Sequence, residues 1–193
     1  MCLARIAAVL SAALLIGAGP ADDGTWVAGG YSFSDEMGEF RILDIAGTGT
    51  RSDPIVLTQE LYTASAEVLV IRTVGPRPRA ETDRTGMVLY LQLETLNASG
   101  LAWVEFGFEL QEQLGKPSTY GDGVSFDQVR TERGRISSNA FASHERNFEP
   151  YDRILFQEGT VDPHQTVQFS LLITDLTPTY QFHLVQDPRI PFS

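Results

Sequence analysis

The sequence predicts an all-β fold, an antiparallel β-sandwich of jelly-roll or Ig-like type with about eight to ten strands. Several segments alternate between apolar and polar residues with a period of two, which is the pattern of a half-buried strand. Turns that contain proline, such as those at Pro163 and Pro178, separate these segments at the spacing of a sandwich. At 193 residues, the chain has the length of one ordinary domain and a removable segment.

The removable segment is the N-terminus, which has the layout of a Sec-type signal peptide. Met1–Arg5 is short and carries one positive charge, Ile6–Ile16 is an apolar run, and Gly17–Ala21 is small and helix-breaking. An apolar run of 11 residues is too short to span a bilayer, which takes about 20. We predict cleavage after Ala21, with cleavage after Gly19 as the alternative.

Cleavage of residues 1–21 would leave a single domain, 22–193, in the periplasm or outside the cell. This domain keeps 13 of the 14 basic residues and all 25 acidic ones. Such an acidic chain repels nucleic acid phosphates and anionic lipids, so we expect neither as a partner, and no membrane insertion. The only cysteine, Cys2, leaves with the signal peptide. We therefore expect no disulfide, thiol nucleophile or thiolate metal site in the mature domain.

The clearest predicted element is a β-hairpin over Met87–Leu110. Its arms, 87–96 and 101–110, each place apolar residues on one face and polar residues on the other. Asn97 and Gly100, which tolerate positive φ, lie in the turn between the arms. The other predicted strands are Tyr31 with Phe33, Phe40–Ile45, Ile55–Leu61, Glu67–Thr73, Tyr151–Gln157, Thr166–Thr174 and Tyr180–Val185.

The pattern weakens over 111–150, where we predict short apolar pieces such as Val124–Phe126 and one short helix within 129–147. Long irregular segments of compact domains are often functional, so we expect any function to lie here. Arg130, Arg133 and Arg135 form a local basic patch that is suited to a carboxylate or an acidic glycan. Pairing with the domain's own carboxylates is the other interpretation, and it is the favoured one.

Two acidic clusters are candidate calcium sites. One contains Asp35, Glu36 and Glu39, and the other contains Asp122 and Asp127. Calcium prefers six to eight oxygen ligands, which loops of secreted sandwiches can supply. Neither cluster has the dense spacing of a known calcium loop, so solvated turns are the favoured interpretation. We predict no other cofactor.

The aromatic residues suggest carbohydrate binding, because aromatic rings stack on sugar rings. Trp26 and Trp103 are the two tryptophans. The alternation of its strand places Trp103 with Glu105 and Glu109, opposite Phe106. That position fits either an exposed platform or burial in the core or at its rim, and burial is the favoured interpretation.

The sequence contains no recognisable catalytic set. The three histidines, His144, His164 and His183, lack metal-ligand spacing, and we expect His183 on the surface or at a rim. Around Ser125, Gly123–Asp127 resembles a nucleophile elbow but lacks the second glycine and a strand-to-helix context.

Gly47-Thr48-Gly49-Thr50 resembles a phosphate loop but lacks the lysine and the helix that would present N–H groups to phosphate. It is therefore predicted as a turn between strands.

Residues 97–110, followed by Tyr120–Phe126, resemble a hairpin of secreted bacterial β-sandwich proteins, some of which carry C-terminal sorting anchors. The whole chain is similar to exported proteins of alphaproteobacteria such as rhizobia. No apolar segment follows Val185, which argues against surface attachment. The resemblance implies a fold and an export route and attaches no activity.

These observations predict an exported, non-catalytic binding or structural module whose partner is a protein or a glycan. The alternative is a carbohydrate-binding or carbohydrate-active secreted protein, either with or without calcium dependence.

Overall fold

The computed structural model describes residues 19–21, 24–75, 86–119, 121, 123–127, 135–146 and 148–191. It is an all-β sandwich of two sheets, which confirms the predicted fold class. In the described residues the strands are β1 (Trp26–Ala28), β2 (Tyr31–Ser34), β3 (Phe40–Ala46), β4 (Ile55–Leu61), β5 (Glu67–Thr73), β6 (Met87–Asn97), β7 (Glu105–Gln111), β8 (Val124–Phe126), β9 (Ser137–Ser138), β10 (Phe141–Glu145), β11 (Arg153–Gly159), β12 (Thr166–Asp175) and β13 (Gln181–Arg189).

One sheet has seven strands in the order β1-β2-β5-β13-β7-β11-β10. The other sheet has six strands, in the order β3-β4-β6-β12-β8, and β9 also pairs with β12. The pair of β4 with β6 is parallel, whereas β12 pairs antiparallel with β6 and β13 pairs antiparallel with both β5 and β7. Both sheets are therefore assembled largely from strands that are distant in sequence.

The alternation in the sequence correctly predicts which faces are buried. Along β6, every second side chain from Met87 onward is buried, and the intervening side chains are half-buried on the outer face. The inner side chains of the two sheets form one apolar core. We use "outer face" for the side of a sheet that is turned away from the other sheet.

The predicted hairpin is wrong, although both of its strands exist. β6 belongs to the six-stranded sheet and β7 to the seven-stranded sheet, so the chain crosses from one sheet to the other between them. Asn97 Nδ2 donates to the carbonyl oxygens of Leu101 (2.8 Å) and Val161 (2.9 Å), and Trp103 bridges to Val161. An alternating pattern indicates that a strand is half-buried, but not whether its partner lies beside it or across the core.

We also predicted a short helix within 129–147. For the described residues of this range the prediction is wrong, because residues 137–138 and 141–145 form β9 and β10. The four strands that the sequence analysis did not predict, β1, β8, β9 and β10, have two to five residues each. Such short segments carry too few alternations to be recognised.

The centre of the core is a group of phenylalanine rings around Phe169, which is fully buried. Its ring centroid lies 4.6 Å from that of Phe106, 5.0 Å from Phe108, 5.1 Å from Phe156 and 6.1 Å from Phe141. Phe169 belongs to the six-stranded sheet, whereas its four neighbours belong to the seven-stranded sheet. Aromatic contacts therefore hold the two sheets together.

A polar bridge also crosses the core, between Gln59 of β4 and Gln186 of β13. Both side chains are fully buried. Gln59 Nε2 donates to Gln186 Oε1 (2.5 Å) and to Thr95 Oγ1 (2.9 Å), and Gln186 Nε2 donates to Gln59 Oε1 (3.2 Å). The two amides satisfy each other inside an apolar interior, as buried polar groups must.

Candidate functional site

A groove with a volume of 250 Å³ lies on the outer face of the six-stranded sheet. Its floor consists of neighbouring residues on the paired strands β6 and β12, namely Tyr90 and Gln92 on one strand and Ser170 on the other. These three side chains are half-buried, since they stand on the outer half of alternating strands. The floor therefore offers an aromatic ring, an amide and a hydroxyl side by side.

One wall of the groove is the loop between β3 and β4, which carries Arg51 and Pro54. Thr50 N donates to Asp53 O (3.1 Å) and Asp53 N donates to Thr50 O (3.3 Å), and these two bonds close a turn with Arg51 inside it. The loop is tied to the groove floor, because Tyr90 N donates to Gly49 O (3.1 Å). As predicted, Gly47-Thr48-Gly49-Thr50 is thus a connection between two strands.

The opposite wall is Arg135, which immediately precedes Ile136 and β9. Because Ser137 pairs with Ser170, the register of β9 on β12 holds Arg135 beside the groove floor. Arg135 Nη1 lies 3.8 Å from Asp127 Oδ1, and the Asp127 side chain is 3% exposed. The structure thus bears out the favoured interpretation for this arginine, pairing with the domain's own carboxylate, and also places it at a groove. Arg130 and Arg133 lie outside the described residues.

Beyond Gln92, the outer face continues as a row of polar side chains. Gln92 and Gln168 each donate from Nε2 to the same oxygen, Glu94 Oε1, at 3.4 Å. Glu94 and Gln168 are directly opposite each other on β6 and β12, as are Gln92 and Ser170. The two arginines therefore flank the groove, and its floor continues into a row of amides and a carboxylate.

A hydrogen-bonded chain of side chains lies on the outer face of the seven-stranded sheet. Glu36 Oε1 pairs with Arg72 Nη2 (2.5 Å), and Arg72 Nε donates to Gln181 Oε1 (2.8 Å). Since that oxygen accepts from Arg72, Gln181 Nε2 is the donor to His183 Nε2 (3.0 Å). The imidazole then donates from Nδ1 to Gln111 O (3.2 Å), which defines a neutral tautomer.

His183 is 3% exposed, so the prediction that it lies on the surface or at a rim is wrong. Its strand position is on the outer face, as alternation predicts, but the neighbouring polar side chains cover the ring. Burial lowers the pKa of His183 below its ordinary value of 6.5, and the hydrogen bond to the Gln111 carbonyl partly opposes this change. The neutral ring is the form that the hydrogen-bonded chain accommodates.

The other two histidines, His144 and His164, lie on different elements of the fold. His144 lies on β10, where its ring is 5.6 Å from that of Phe156, and burial followed by the charge of Arg146 lowers the pKa of His144. His164 is in the turn before β12 with a φ of 67°.

Ser125 lies inside β8, fully buried, and its Oγ donates to Asp152 Oδ2 (2.8 Å). Its strand position differs from the strand-to-helix turn of a nucleophile elbow.

The first acidic cluster has a structural role. Asp35 Oδ2 accepts a hydrogen bond from Ile42 N (2.9 Å) of the edge strand β3, and Glu36 pairs with Arg72. The backbone N–H of Glu39 donates to Glu67 Oε2 (2.6 Å). These contacts make Asp35 and Glu36 partners within the fold, which neither the calcium site nor the solvated turns predicted. Of the second cluster, Asp122 lies outside the described residues, and Asp127 is the partner of Arg135.

Within the described ranges, no group of three or more His, Cys, Asp or Glu side chains is arranged to hold a metal ion. The same part of the chain has no helix long and apolar enough to cross a membrane.

The tryptophans do not form a binding platform. Trp103 is fully buried, and its ring packs edge-on against Phe106 at 5.4 Å. The favoured interpretation, burial of Trp103, is thus confirmed. Trp103 nevertheless packs on the same side of the chain as Phe106, whereas alternation had placed the two on opposite faces. Trp26 is partly buried against the core.

Sequence reasoning missed Arg51 and did not single out Tyr90 as a site residue. The signal for Tyr90 was present, because alternation places it with Gln92 and Glu94 on the outer face of β6. Nothing in the sequence brings Arg51 to that strand, since the contact depends on the parallel pairing of β4 with β6.

Comparison with known proteins adds no relative: no family model, no curated protein and no solved structure matches this chain. The resemblance to exported alphaproteobacterial sandwich proteins therefore stays a prediction.

Proposed function

We propose that this protein is an exported, non-catalytic binding module that holds its ligand in the groove between Arg51 and Arg135. The observation that carries the proposal is the composition of the groove. One concavity is lined by the polar residues Tyr90, Gln92, Ser170, Arg51 and Arg135 together with Pro54, Leu91 and Leu171. Concave sites with a few convergent polar groups are the usual places where proteins bind small ligands or segments of polymers.

A binding role without turnover is supported by the surroundings of Ser125 and His183. The Ser125 hydroxyl is bound to a carboxylate in the interior, so a substrate cannot approach it. His183 Nε2 accepts a hydrogen bond from Gln181, which occupies the lone pair that a general base would use. Neither residue lines the groove.

Carbohydrate is the second candidate function, and Tyr90 favours it. An aromatic side chain next to amides is a common surface for a sugar ring, because the ring meets C–H groups and the amides meet hydroxyls. The export part of the proposal is supported by the layout of residues 1–21. It predicts a mature N-terminus at Asp22, which mass spectrometry of the periplasmic fraction would detect.

The proposal is tested by measuring the melting temperature of residues 22–193 with a panel of neutral and acidic polysaccharides, with calcium and with chelator. We expect at least one polysaccharide to raise the melting temperature, because a ligand that binds only the folded state stabilises it. Tyr90→Ala should abolish this increase, and Gln92→Ala serves as a second groove variant. Tyr180→Ala, which changes a tyrosine that is 68% exposed outside the groove, is the matched control.

Two results would contradict the proposal. One is the absence of any shift across the panel. The other is shortening of a polysaccharide by the protein, which chromatography of the products would detect and which would indicate an enzyme.

A further inference from the structure

We propose that His183 is the centre of a proton-operated switch on the outer face of the seven-stranded sheet: a proton taken up at its Nε2 atom turns the Gln181 amide over and detaches Arg72. These residues and the groove lie on different sheets, so the switch is separate from the proposed binding site. It follows from the direction of each hydrogen bond that joins the three side chains.

The orientation of the Gln181 amide is fixed by its neighbours on both sides. Arginine can only donate hydrogen bonds, so the atom that Arg72 Nε contacts at 2.8 Å is the amide oxygen, Oε1. The amide nitrogen therefore faces His183 Nε2 at 3.0 Å and donates to it. Since His183 Nδ1 faces the Gln111 carbonyl oxygen at 3.2 Å, the ring carries its one proton at Nδ1 and leaves Nε2 as an acceptor.

A second proton on the ring conflicts with this arrangement. It places an N–H group at His183 Nε2 against the NH2 group of Gln181, and two donors repel each other. Turning the amide over presents its oxygen to the charged ring, but the NH2 group then faces Arg72 Nε, which is also a donor. Arg72 must therefore leave Gln181 when His183 is charged. The proton comes from solvent, and the new N–H bond is the only covalent bond formed.

On the β5 side, the ring faces the positive charge of Arg72, which is paired with the carboxylate of Glu36. Burial lowers the pKa of His183, and the hydrogen bond to the Gln111 carbonyl opposes this change. Arg72 lowers the pKa of the ring further, and Glu36 raises it. The charges on this side therefore act on the ring in opposite directions, and both belong to the chain of side chains that the proton would rearrange.

On the β7 side, Gln111 lies directly opposite His183, and its carbonyl oxygen already accepts from Nδ1. The carboxylate on this side belongs to Glu109, which lies opposite Val185, two residues along β13. Glu109 is engaged by Gln111 Nε2 at 2.5 Å and by Arg153 of β11. Gln181, which faces Nε2, is therefore the neighbour that must adjust when this atom takes up a proton.

Detachment of Arg72 acts on the connection between the two sheets. Arg72 Nη2 pairs with Glu36 Oε1 at 2.5 Å, and Glu36 lies between β2 of one sheet and β3 of the other. In the same connection, Asp35 accepts a hydrogen bond from Ile42 N of β3. The Arg72 side chain is 21% exposed, so it can turn into solvent when Gln181 releases it. Proton uptake at a buried ring is thus linked to an ion pair at the surface.

The test is a titration of the isotope-labelled protein from about pH 7.5 to about pH 5, followed by NMR spectroscopy. The ring nitrogen signals of His183 report its protonation, and the Gln181 side-chain amide and Glu36 backbone signals report the rearrangement. We expect all of them to change with one midpoint, which lies below 6.5, the ordinary value for histidine. Above this midpoint, Nδ1 should carry the proton.

Hydrogen exchange of the Arg72 Nε–H group measures its detachment, because a bonded N–H group exchanges with water only after its bond opens. Free arginine in the same buffer corrects for the direct effect of pH on exchange. We expect the exchange rate of Arg72 relative to free arginine to rise at least tenfold as His183 takes up its proton.

Three variants assign these changes to the switch. In Gln181→Glu, one carboxylate accepts from Arg72 and from charged His183 together, so the His183 midpoint should rise by about one pH unit or more and the Arg72 exchange ratio should stay constant. His183→Gln removes the titration and should also keep the ratio constant. His164→Asn is the matched control, because it changes an exposed histidine in the turn before β12 and should leave every response as in the parent.

Three results would overturn the switch. A constant Arg72 exchange ratio while His183 takes up its proton would show that the Gln181 oxygen serves both neighbours. A change at Arg72 that persists in Gln181→Glu or in His183→Gln would assign it to another titrating group. A His183 ring that stays neutral to pH 5 would leave the hydrogen-bonded chain with a structural role only. The titration of the parent decides the first and third results even if His183→Gln does not fold.

Discussion

Replacement of Gln59 by methionine tests how the polar bridge across the core contributes to stability. Gln59 makes three side-chain hydrogen bonds, two with Gln186 and one with Thr95, and all three residues are fully buried. Methionine has nearly the volume of glutamine but cannot replace these bonds. In the Gln59→Met variant, the Gln186 amide would therefore lie in an apolar interior without its partner.

The expected magnitude follows from counting these bonds. A buried polar group that loses its partner costs about 1–3 kcal/mol, so Gln59→Met should lower the free energy of unfolding by about 2–4 kcal/mol. Gln186→Met should cost about 1–3 kcal/mol, because Gln59 keeps its bond to Thr95. The double variant removes both amides and leaves only the buried Thr95 hydroxyl without its donor, so its loss should be about 1–2 kcal/mol, well below the sum of the two single losses.

Urea unfolding of the parent, both single variants and the double variant gives the coupling free energy directly. Gln157→Met is the matched control, because Gln157 is half-buried on an outer face and makes one long side-chain bond of 3.3 Å. A double variant whose loss equals the sum of the two single losses would show that the amides act independently. That result would refute the interpretation of the bridge as a mutually satisfied pair.

Three further predictions concern the core, the crossing between the sheets and the dependence on pH. Phe169→Leu removes four ring contacts between the sheets and should lower the free energy of unfolding by about 2–3 kcal/mol in urea. Tyr180→Leu, at an exposed site, should change it by less than about 0.5 kcal/mol, and similar losses in the two variants would contradict the role of the ring cluster. Asn97→Ala should cost about 1–3 kcal/mol, because the Asn97 amide donates to two carbonyl groups at the crossing. Asn97→Asp keeps the shape of the side chain but cannot donate these bonds, so it should be destabilised as well. An Asn97→Asp variant as stable as the parent would show that only the shape of the side chain matters for stability. His183 has a lowered pKa in the folded state, so its contribution to stability is present above the unfolded value of 6.5 and is lost as pH falls through the folded pKa. Chemical unfolding of His183→Gln should therefore show a smaller loss of stability between pH 7.5 and pH 5 than unfolding of the parent. An unchanged pH profile would contradict the lowered pKa of His183.

The sequence predicts strands and their faces well, because both depend on local alternation. It does not predict which strands pair. The segment from Met87 to Leu110 shows the difference. Its alternation and its Asn and Gly turn residues fit a hairpin and a crossing between sheets equally well, and the choice depends on Val161, which is far away in sequence.

The candidate site is predicted even less well than the pairing, for the same reason. Its residues come from four separated segments, at Arg51, Tyr90 with Gln92, Arg135 and Ser170. The basic patch is visible in the sequence because Arg130, Arg133 and Arg135 are close together, and of these only Arg135 is among the described residues that line the groove. Convergence of distant residues leaves no local pattern in a single sequence.

The position of β12 and β13 has a consequence for how the chain folds. Each is an interior strand of its sheet, although both come late in the sequence. Gln59 and Gln186 are 127 residues apart, and Arg72 and Gln181 are 109 apart. Contacts of such long range make folding slow, since the loop entropy is lost before the contacts form. A growing chain that ends before residue 166 lacks a central strand of both sheets. It would remain unfolded during synthesis, which leaves time for the proposed transfer across a membrane.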